Sequence, residues 1–129
     1  MTANRSSAVM QQRYEALDSL DDFPTPPWAV RAMLHHLPEE GGDWRLRSVW
    51  EPEANRGALI RGLTGAVGRI RASDVHDYGA GYFVEDFLFA PRVIGEDWVI
   101  TNPPFRLAEP FAKHGMNVAR RGVALLVRA

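Results

Sequence analysis

The chain of 129 residues contains no cysteine. This absence excludes disulfide bonds, thiolate metal sites and cysteine nucleophiles, and it suits the reducing interior of a cell, so we expect a cytoplasmic location. No apolar run approaches the roughly 20 residues of a membrane span, and no apolar core follows residues 1–5 to make them a secretory signal. We therefore expect no membrane association.

The chain also lacks an excess of charge of either sign, since 15 basic residues stand against 16 acidic ones. Such a balance gives no global positive field to hold nucleic acid, so contact with it would require a local patch. Hydrophobic residues make up 46% and charged residues 24% of the chain, which is typical of one globular domain. His35 and His36 are adjacent in a predicted helix, where a solvated helix end is the expected role, and His76 and His114 lie far from them in the chain, so we expect no metal site.

Five short apolar segments are predicted as β-strands that alternate with helices. The strands are expected over 47–50, 68–74, 82–84, 98–101 and 123–127. The helices are expected around residue 30 and over 57–63 and 107–120. Apolar runs separated by helices favour an α/β, Rossmann-like fold, in which helices cover both faces of an open parallel sheet.

The core domain is predicted to span residues 23–129, after an N-terminal tail and helix in residues 1–22. Thr25 is expected to cap the first core helix, with Pro26 in its first helical position. The apolar residues of that helix recur at the i, i+3, i+4, i+7 spacing of one helix face. They are Val30, Met33, Leu34 and Leu37.

The fifth predicted strand shows no alternation of polar and apolar residues and stands near the end of the sequence. Its edge would be exposed unless another chain or a following segment covered it. This favours a homo-oligomer formed through the edge of the sheet.

Asn102, Pro103, Pro104 and Phe105 directly follow the fourth predicted strand. An exocyclic amine such as N6 of adenine is a poor nucleophile, because its lone pair is delocalised into the ring. Asn102 can offer one acceptor to such an amine, and prolines, which fix φ and lack N–H groups, leave the Pro103 carbonyl as a second acceptor. Phe105 can stack on the ring. The alternative is a strand that ends at a Pro-Pro stop followed by a core aromatic.

Polar residues follow the other predicted strands at equivalent places. The first strand is followed by the turn Glu51-Pro52-Glu53-Ala54-Asn55-Arg56-Gly57, the second ends at Asp74, and the third leads into Asp86 and Phe87. In an open α/β sheet all of these would lie at the carboxyl edge, where ligands bind.

This order of motifs resembles that of the class I S-adenosylmethionine-dependent methyltransferases, and within them the amino-methyltransferases that modify adenine N6 in DNA. The segment Phe-Pro-Thr-Pro-Pro-Trp at 23–28 also resembles the Thr-Pro motif that precedes the glycine loop in many of those enzymes. The similarity runs from about Phe23 to Val127. It implies methyl transfer to an amino nitrogen, with S-adenosylmethionine as cofactor, DNA as substrate and no metal.

The resemblance also implies a role for each motif. Thr25 and Pro26 would border the methionine end of the cofactor, and Asp74 would accept hydrogen bonds from the ribose hydroxyls. Asp86 would hold the amine of the cofactor's adenine, with Phe87 beside the ring. The methionine moiety would contact Glu51, Ala54, Asn55 and Gly57. The target would be held by Asn102, Pro103, Pro104 and Phe105.

Two features depart from the family's pattern. Asn55 stands where the family usually has a glycine, although Asn tolerates the left-handed backbone region. The family's sheet also continues for two more strands, and its DNA enzymes carry a target-recognition region, so the chain is expected to be shortened at its C-terminal side.

A non-catalytic, partner-binding remnant of the fold is the alternative, and an RNA base or a protein glutamine is the alternative substrate. A dinucleotide-dependent oxidoreductase is disfavoured, because the first turn lacks the Gly-x-Gly-x-x-Gly pattern.

Overall fold

The computed structural model describes residues 24–39 and 43–127. The N-terminal tail and helix predicted for residues 1–22 lie outside the described residues. Within them, the helices are α1 (Pro27–His36), α2 (Ala58–Leu63) and α3 (Ala108–Val118). The strands are β1 (Ser48–Glu51), β2 (Arg69–Asp74), β3 (Phe83–Val84), β4 (Trp98–Thr101) and β5 (Gly122–Leu125). Short 3-10 helices span Trp44–Leu46, Phe87–Phe89 and Phe105–Leu107.

The strands form one five-stranded sheet in the order β3-β2-β1-β4-β5. Every pairing is parallel, with Val49 of β1 opposite both Ile70 of β2 and Trp98 of β4. β2 and β3 lie in sequence on one side of β1, and β4 and β5 lie in sequence on its other side. The strand order therefore reverses between β1 and β4, and a crevice at their carboxyl ends is where such sheets bind ligands.

Helices cover both faces of the sheet, which confirms the predicted α/β, Rossmann-like architecture. One face packs Val49 and Ile100 against α1 and α2, through residues such as Leu34 and Leu63. The opposite face packs Trp50 and Val99 of the strands against α3. Because β1 and β4 are buried on both sides, their residues are apolar without alternation, as the sequence shows.

A close contact between α1 and α2 depends on Gly62. A Cβ atom added at this position would lie only 2.6 Å from Cβ of Val30, so the two helices approach each other without a side chain between them. Both residues are buried in the core on this face of the sheet. The contact fixes α1, and with it the segment that precedes α1, relative to the end of β1.

The amino ends of the strands are tied together by the buried carboxylate of Glu39. It accepts hydrogen bonds from the Trp98 indole at 2.8 Å, from Arg121 at 2.8 Å and from Arg47. Burial alone would raise the pKa of Glu39, but these three donors outweigh it and lower the pKa to about 2. The segment after α1 is therefore held at the starts of β1, β4 and β5 by a carboxylate that stays ionised.

Trp98 also fits closely against the start of β5. It pairs with Gly122 across the sheet, and a Cβ atom at Gly122 would meet the indole ring at 2.8 Å. The ring thus occupies the space that any larger residue at position 122 would need.

The predicted boundaries of β4 are confirmed, and those of the other strands and helices need correction by one or two residues. The prediction that Thr25 caps α1 is wrong: Pro26 is the N-cap, with an extended ψ of 147°, and the helix begins at Pro27. The reason is that a residue before proline is disfavoured in the helical region, so Pro26 cannot join the helix that Pro27 starts.

Among the helices in the described part of the chain, none combines the length and apolar character needed to cross a membrane.

Replacing Gly62 with Ala tests the contact between α1 and α2. The added methyl group cannot fit against Val30, so we expect Gly62→Ala to lower the free energy of unfolding by about 1–3 kcal/mol, although Ala is the better helix former. Urea denaturation measures this. Gly95→Ala is the matched control, because the nearest atom to its added Cβ is 3.9 Å away. Equal stability of Gly62→Ala and the wild type would show that the two helices can separate freely.

Candidate functional site

A cavity of about 240 Å³ opens at the carboxyl edge of the sheet, where the strand order reverses. The ends of β1 and β2 place Glu51 and Asp74 in its wall, and Asn102 enters from the residue after β4. Seven residues predicted for the site line this one cavity: Thr25, Glu51, Ala54, Asn55, Asp74, Asn102 and Pro104. Motifs that lie far apart in the sequence therefore meet at one place.

The carboxylate of Asp74 holds the turn that follows β1. One oxygen accepts from the backbone N–H of Asn55 at 2.9 Å, and the other accepts from the N–H of His76 at 3.0 Å. The N–H of Ala54 donates to the Ser73 carbonyl at 2.8 Å, next to this carboxylate. The turn after β1 and the loop after β2 are thus joined through one side chain that is 3% exposed.

The turn reverses direction at two residues with left-handed backbone conformation. Asn55 has φ 53° and Gly57 has φ 89°, and the Gly57 N–H donates to the Ala54 carbonyl at 2.8 Å. Asn55 thus adopts the conformation that the sequence analysis allowed for it. Glycine is favoured at position 57 for two reasons. Its φ is positive, and a Cβ atom there would lie 2.3 Å from the Tyr82 hydroxyl oxygen.

Glu51 is a buried acid in the cavity wall. Its side chain accepts from the Glu53 N–H at 2.8 Å, and the residue is 1% exposed. Burial raises the pKa of Glu51 to about 8, with a further rise from the nearby charges of Glu53 and Asp74. The nearby Thr101 side chain and the Glu53 backbone N–H lower this pKa and only partly offset the rise. At neutral pH Glu51 is therefore mostly protonated, and a cation bound beside it would favour its ionised form.

Two arginines bring positive charge to the same cavity. The guanidinium of Arg56 lies 5.0 Å from the centre of the Tyr78 ring, and Arg61 donates to the Arg56 carbonyl at 3.0 Å. His76 packs edge-on against Tyr78, with 4.8 Å between ring centres. The sequence analysis did not assign any of these four to the site, although all follow the β1 and β2 strand ends closely in the chain.

Two of the four residues in the segment 102–105 line the cavity. Asn102 and Pro104 line it, while Pro103 is buried without lining it. Phe105 is 59% exposed and begins a 3-10 helix, so the alternative that it is a core aromatic is wrong. An exposed ring on the residue next to Pro104 of the cavity wall is available for stacking on a ligand.

Asp86 and Phe87 do not line this cavity. Asp86 caps a 3-10 helix by accepting from the Leu88 N–H at 3.1 Å. Phe87 has no exposed surface and packs against Trp50 and Phe111, with ring centres 4.9 and 5.0 Å away. The expectation that Phe87 lies beside a bound ring is not met in this geometry, because its ring faces only protein. Pro26 is exposed and does not line the cavity. Gly57 is buried in the turn and does not line it either.

Within residues 24–39 and 43–127, no group of three or more His, Asp or Glu side chains is arranged to hold a metal ion.

No protein-family model matches the chain, and a search of curated proteins found no match. Any functional assignment therefore depends on the residues and geometry described above.

The raised pKa of Glu51 makes stability depend on pH. Because the folded state holds a proton on Glu51 that the unfolded state loses near its ordinary pKa of 4.5, rising pH between about 4.5 and 8 destabilises the fold. The slope is up to about 1.4 kcal/mol per pH unit for one proton. Glu51→Gln removes this dependence, so its stability relative to the wild type should increase as the pH is raised from 5 to 9.

Urea denaturation of both proteins at several pH values measures the effect. Glu109→Gln is the control, since the Glu109 side chain is 78% exposed and pairs only with Lys113 on the surface of α3. Parallel stability curves for Glu51→Gln and the wild type would contradict a raised pKa.

Proposed function

We propose that this chain is the core of a class I S-adenosylmethionine-dependent methyltransferase that acts on an exocyclic amino nitrogen, with adenine N6 in DNA as the favoured target. The observation that carries the proposal is the meeting of Glu51, Asp74 and Asn102 in one cavity at the point where the strand order reverses. Each of the three comes from the end of a different parallel strand.

The residues of the cavity suit the cofactor chemically. The carboxylate of Asp74 is an acceptor at the end of β2, and a carboxylate has about four lone-pair sites, so this group suits the hydroxyls of a ribose. Glu51 can pair with the ammonium group of a methionine moiety that lies along the Ala54–Gly57 turn. Asp86 and Phe87, which lie outside the cavity, have no part in this proposal as direct contacts.

The target amine would meet Asn102 at the same cavity. S-adenosylmethionine, when bound, supplies an electrophilic methyl group on a positively charged sulfur. The side-chain carbonyl of Asn102 would then accept from an amine hydrogen and orient the amine lone pair towards that methyl group, whereas Pro103, which does not line the cavity, has no direct contact in this proposal. As the new N–C bond forms, the C–S bond would break, S-adenosylhomocysteine would leave, and the amine proton would pass to solvent. Phe105, with its exposed ring, stacks on the base. Adenine in a duplex must first leave the stack, at a cost of a few kcal/mol.

A non-catalytic module with a methyltransferase-like fold is the competing candidate. Asn55 favours it, because its side chain lines the cavity where the resembling family has a glycine. A side chain at this point takes up space that a methionine moiety would use. Binding measurements with the cofactor product separate the two candidates.

Titration calorimetry with S-adenosylhomocysteine is the first test. We expect binding to the wild type, and a loss of about ten- to a hundredfold in affinity for Asp74→Ala, since hydrogen bonds to a charged group contribute about 1.5–3 kcal/mol. Asp74 also holds the turn, so the melting temperature of each variant is measured alongside. Asp77→Ala is the control, because Asp77 is exposed in the same loop and does not line the cavity. Absence of binding to the wild type would favour the non-catalytic module.

Methyl transfer to single-stranded, adenine-containing DNA is the second test. Asn102→Ala removes an acceptor that acts on the reacting amine, so we expect transfer to fall by about a hundredfold or more while cofactor affinity stays unchanged. Asn117→Ala, at an exposed position on α3, is the control. Equal activity of Asn102→Ala and the wild type would remove Asn102 from the reaction.

A further inference from the structure

The cavity carries groups of both signs. The acidic residues in its wall are Glu51 and Asp74, at the ends of β1 and β2, and Glu53 in the turn after β1. The cations, Arg56 and Arg61, come from the same turn and from α2. A ligand group that carries both charges at neighbouring atoms would match this arrangement better than a purely anionic or purely cationic one.

Arg61 is held close to the backbone of the turn. Its Nη1 donates to the Arg56 carbonyl at 3.0 Å, and the same nitrogen lies 3.4 Å from the place that a Cβ atom would occupy at Gly57. A guanidinium carries five N–H donors in a planar fork, and this bond uses one of them. The position of Arg61 in the cavity wall thus brings a bidentate donor next to the turn.

Arg56 is placed differently. Its guanidinium stacks over the Tyr78 ring, in the loop after β2, whereas Arg61 leans against the turn. The guanidinium of Arg61 therefore contacts the backbone of the turn along which a methionine moiety would lie, whereas that of Arg56 contacts the loop after β2.

We propose that Arg61 recognises a carboxylate on the bound ligand, so that the cavity selects a ligand with a zwitterionic amino-acid end. This inference rests on the proposed function, because it assigns the α-carboxylate of S-adenosylmethionine to Arg61 and its α-ammonium to the acidic wall. A carboxylate that comes with its own ammonium adds no net charge beside Asp74. A phosphate at the same place would bring a net negative charge towards that carboxylate.

A comparison of S-adenosylmethionine with its decarboxylated form tests the assignment, since the two ligands differ only by the carboxylate. For the wild type, we expect the decarboxylated ligand to bind about ten- to a hundredfold more weakly, as for loss of a charge-assisted bidentate pair. Arg61→Ala should weaken binding of S-adenosylmethionine by a similar factor and leave the affinity of the decarboxylated ligand unchanged. Arg61→Lys should recover part of the loss.

Arg69→Ala is the matched control, because Arg69 begins β2 at the opposite edge of the sheet and its removal changes the net charge equally. All titrations use one ionic strength, which keeps the screening of charge constant. A melting temperature for each variant separates loss of recognition from loss of the fold.

Each outcome decides between the assignments. Equal weakening of both ligands by Arg61→Ala, or a wild type that does not distinguish them, would overturn the role of Arg61 while the proposed function stands. Displacement of S-adenosylmethionine by millimolar inorganic phosphate in the wild type, but not in Arg61→Ala, would reassign the residue to phosphate. A wild type that binds neither ligand would refute the proposed function, and the role of Arg61 with it.

Discussion

The whole site depends on one carboxylate, that of Asp74, because it joins two loops that the sheet alone would leave independent. The turn after β1 and the loop after β2 both donate backbone N–H groups to it, at 2.9 and 3.0 Å. Parallel strands fix only the points where these loops begin. With Asp74 between them, the loops are held at a fixed separation, and the cavity between the strand ends keeps its shape. The other acids and the arginines act within a space that Asp74 defines.

The buried acids at the two ends of the sheet have pKa values that are shifted in opposite directions. At the amino end, Glu39 is surrounded by donors and its pKa is lowered to about 2, which stabilises the fold. At the carboxyl end, burial raises the pKa of Glu51 to about 8, which costs stability as the pH rises above about 4.5, because the unfolded state releases a proton that the folded state keeps. Proteins retain such costly groups mainly where they bind or react. The contrast assigns a structural role to one end of the sheet and supports a binding role at the other.

Much of the fold could be predicted from apolar runs and the turn residues between them, because strands buried on both faces leave a clear signal in the sequence. Glu51, Asp74 and Asn102 were found because residues at the carboxyl ends of parallel strands meet at one edge. The same rule did not bring Asp86 to the cavity, since β3 has only two residues and the chain turns into a 3-10 helix directly after it. The position of Arg61 in the cavity wall could not be predicted, because the sequence does not indicate the direction in which a long, flexible side chain points.

The fit of the Trp98 indole over Gly122 has a consequence for how the last strand finds its place. A slip of β5 by one residue along β4 would bring Arg121 or Val123 beneath the indole, where no side chain fits. The absence of a side chain at Gly122 therefore helps to fix the register of β5. Because this strand has no alternation of polar and apolar residues that could set its pairing, the fit at Gly122 supplies a constraint that the hydrophobic pattern does not.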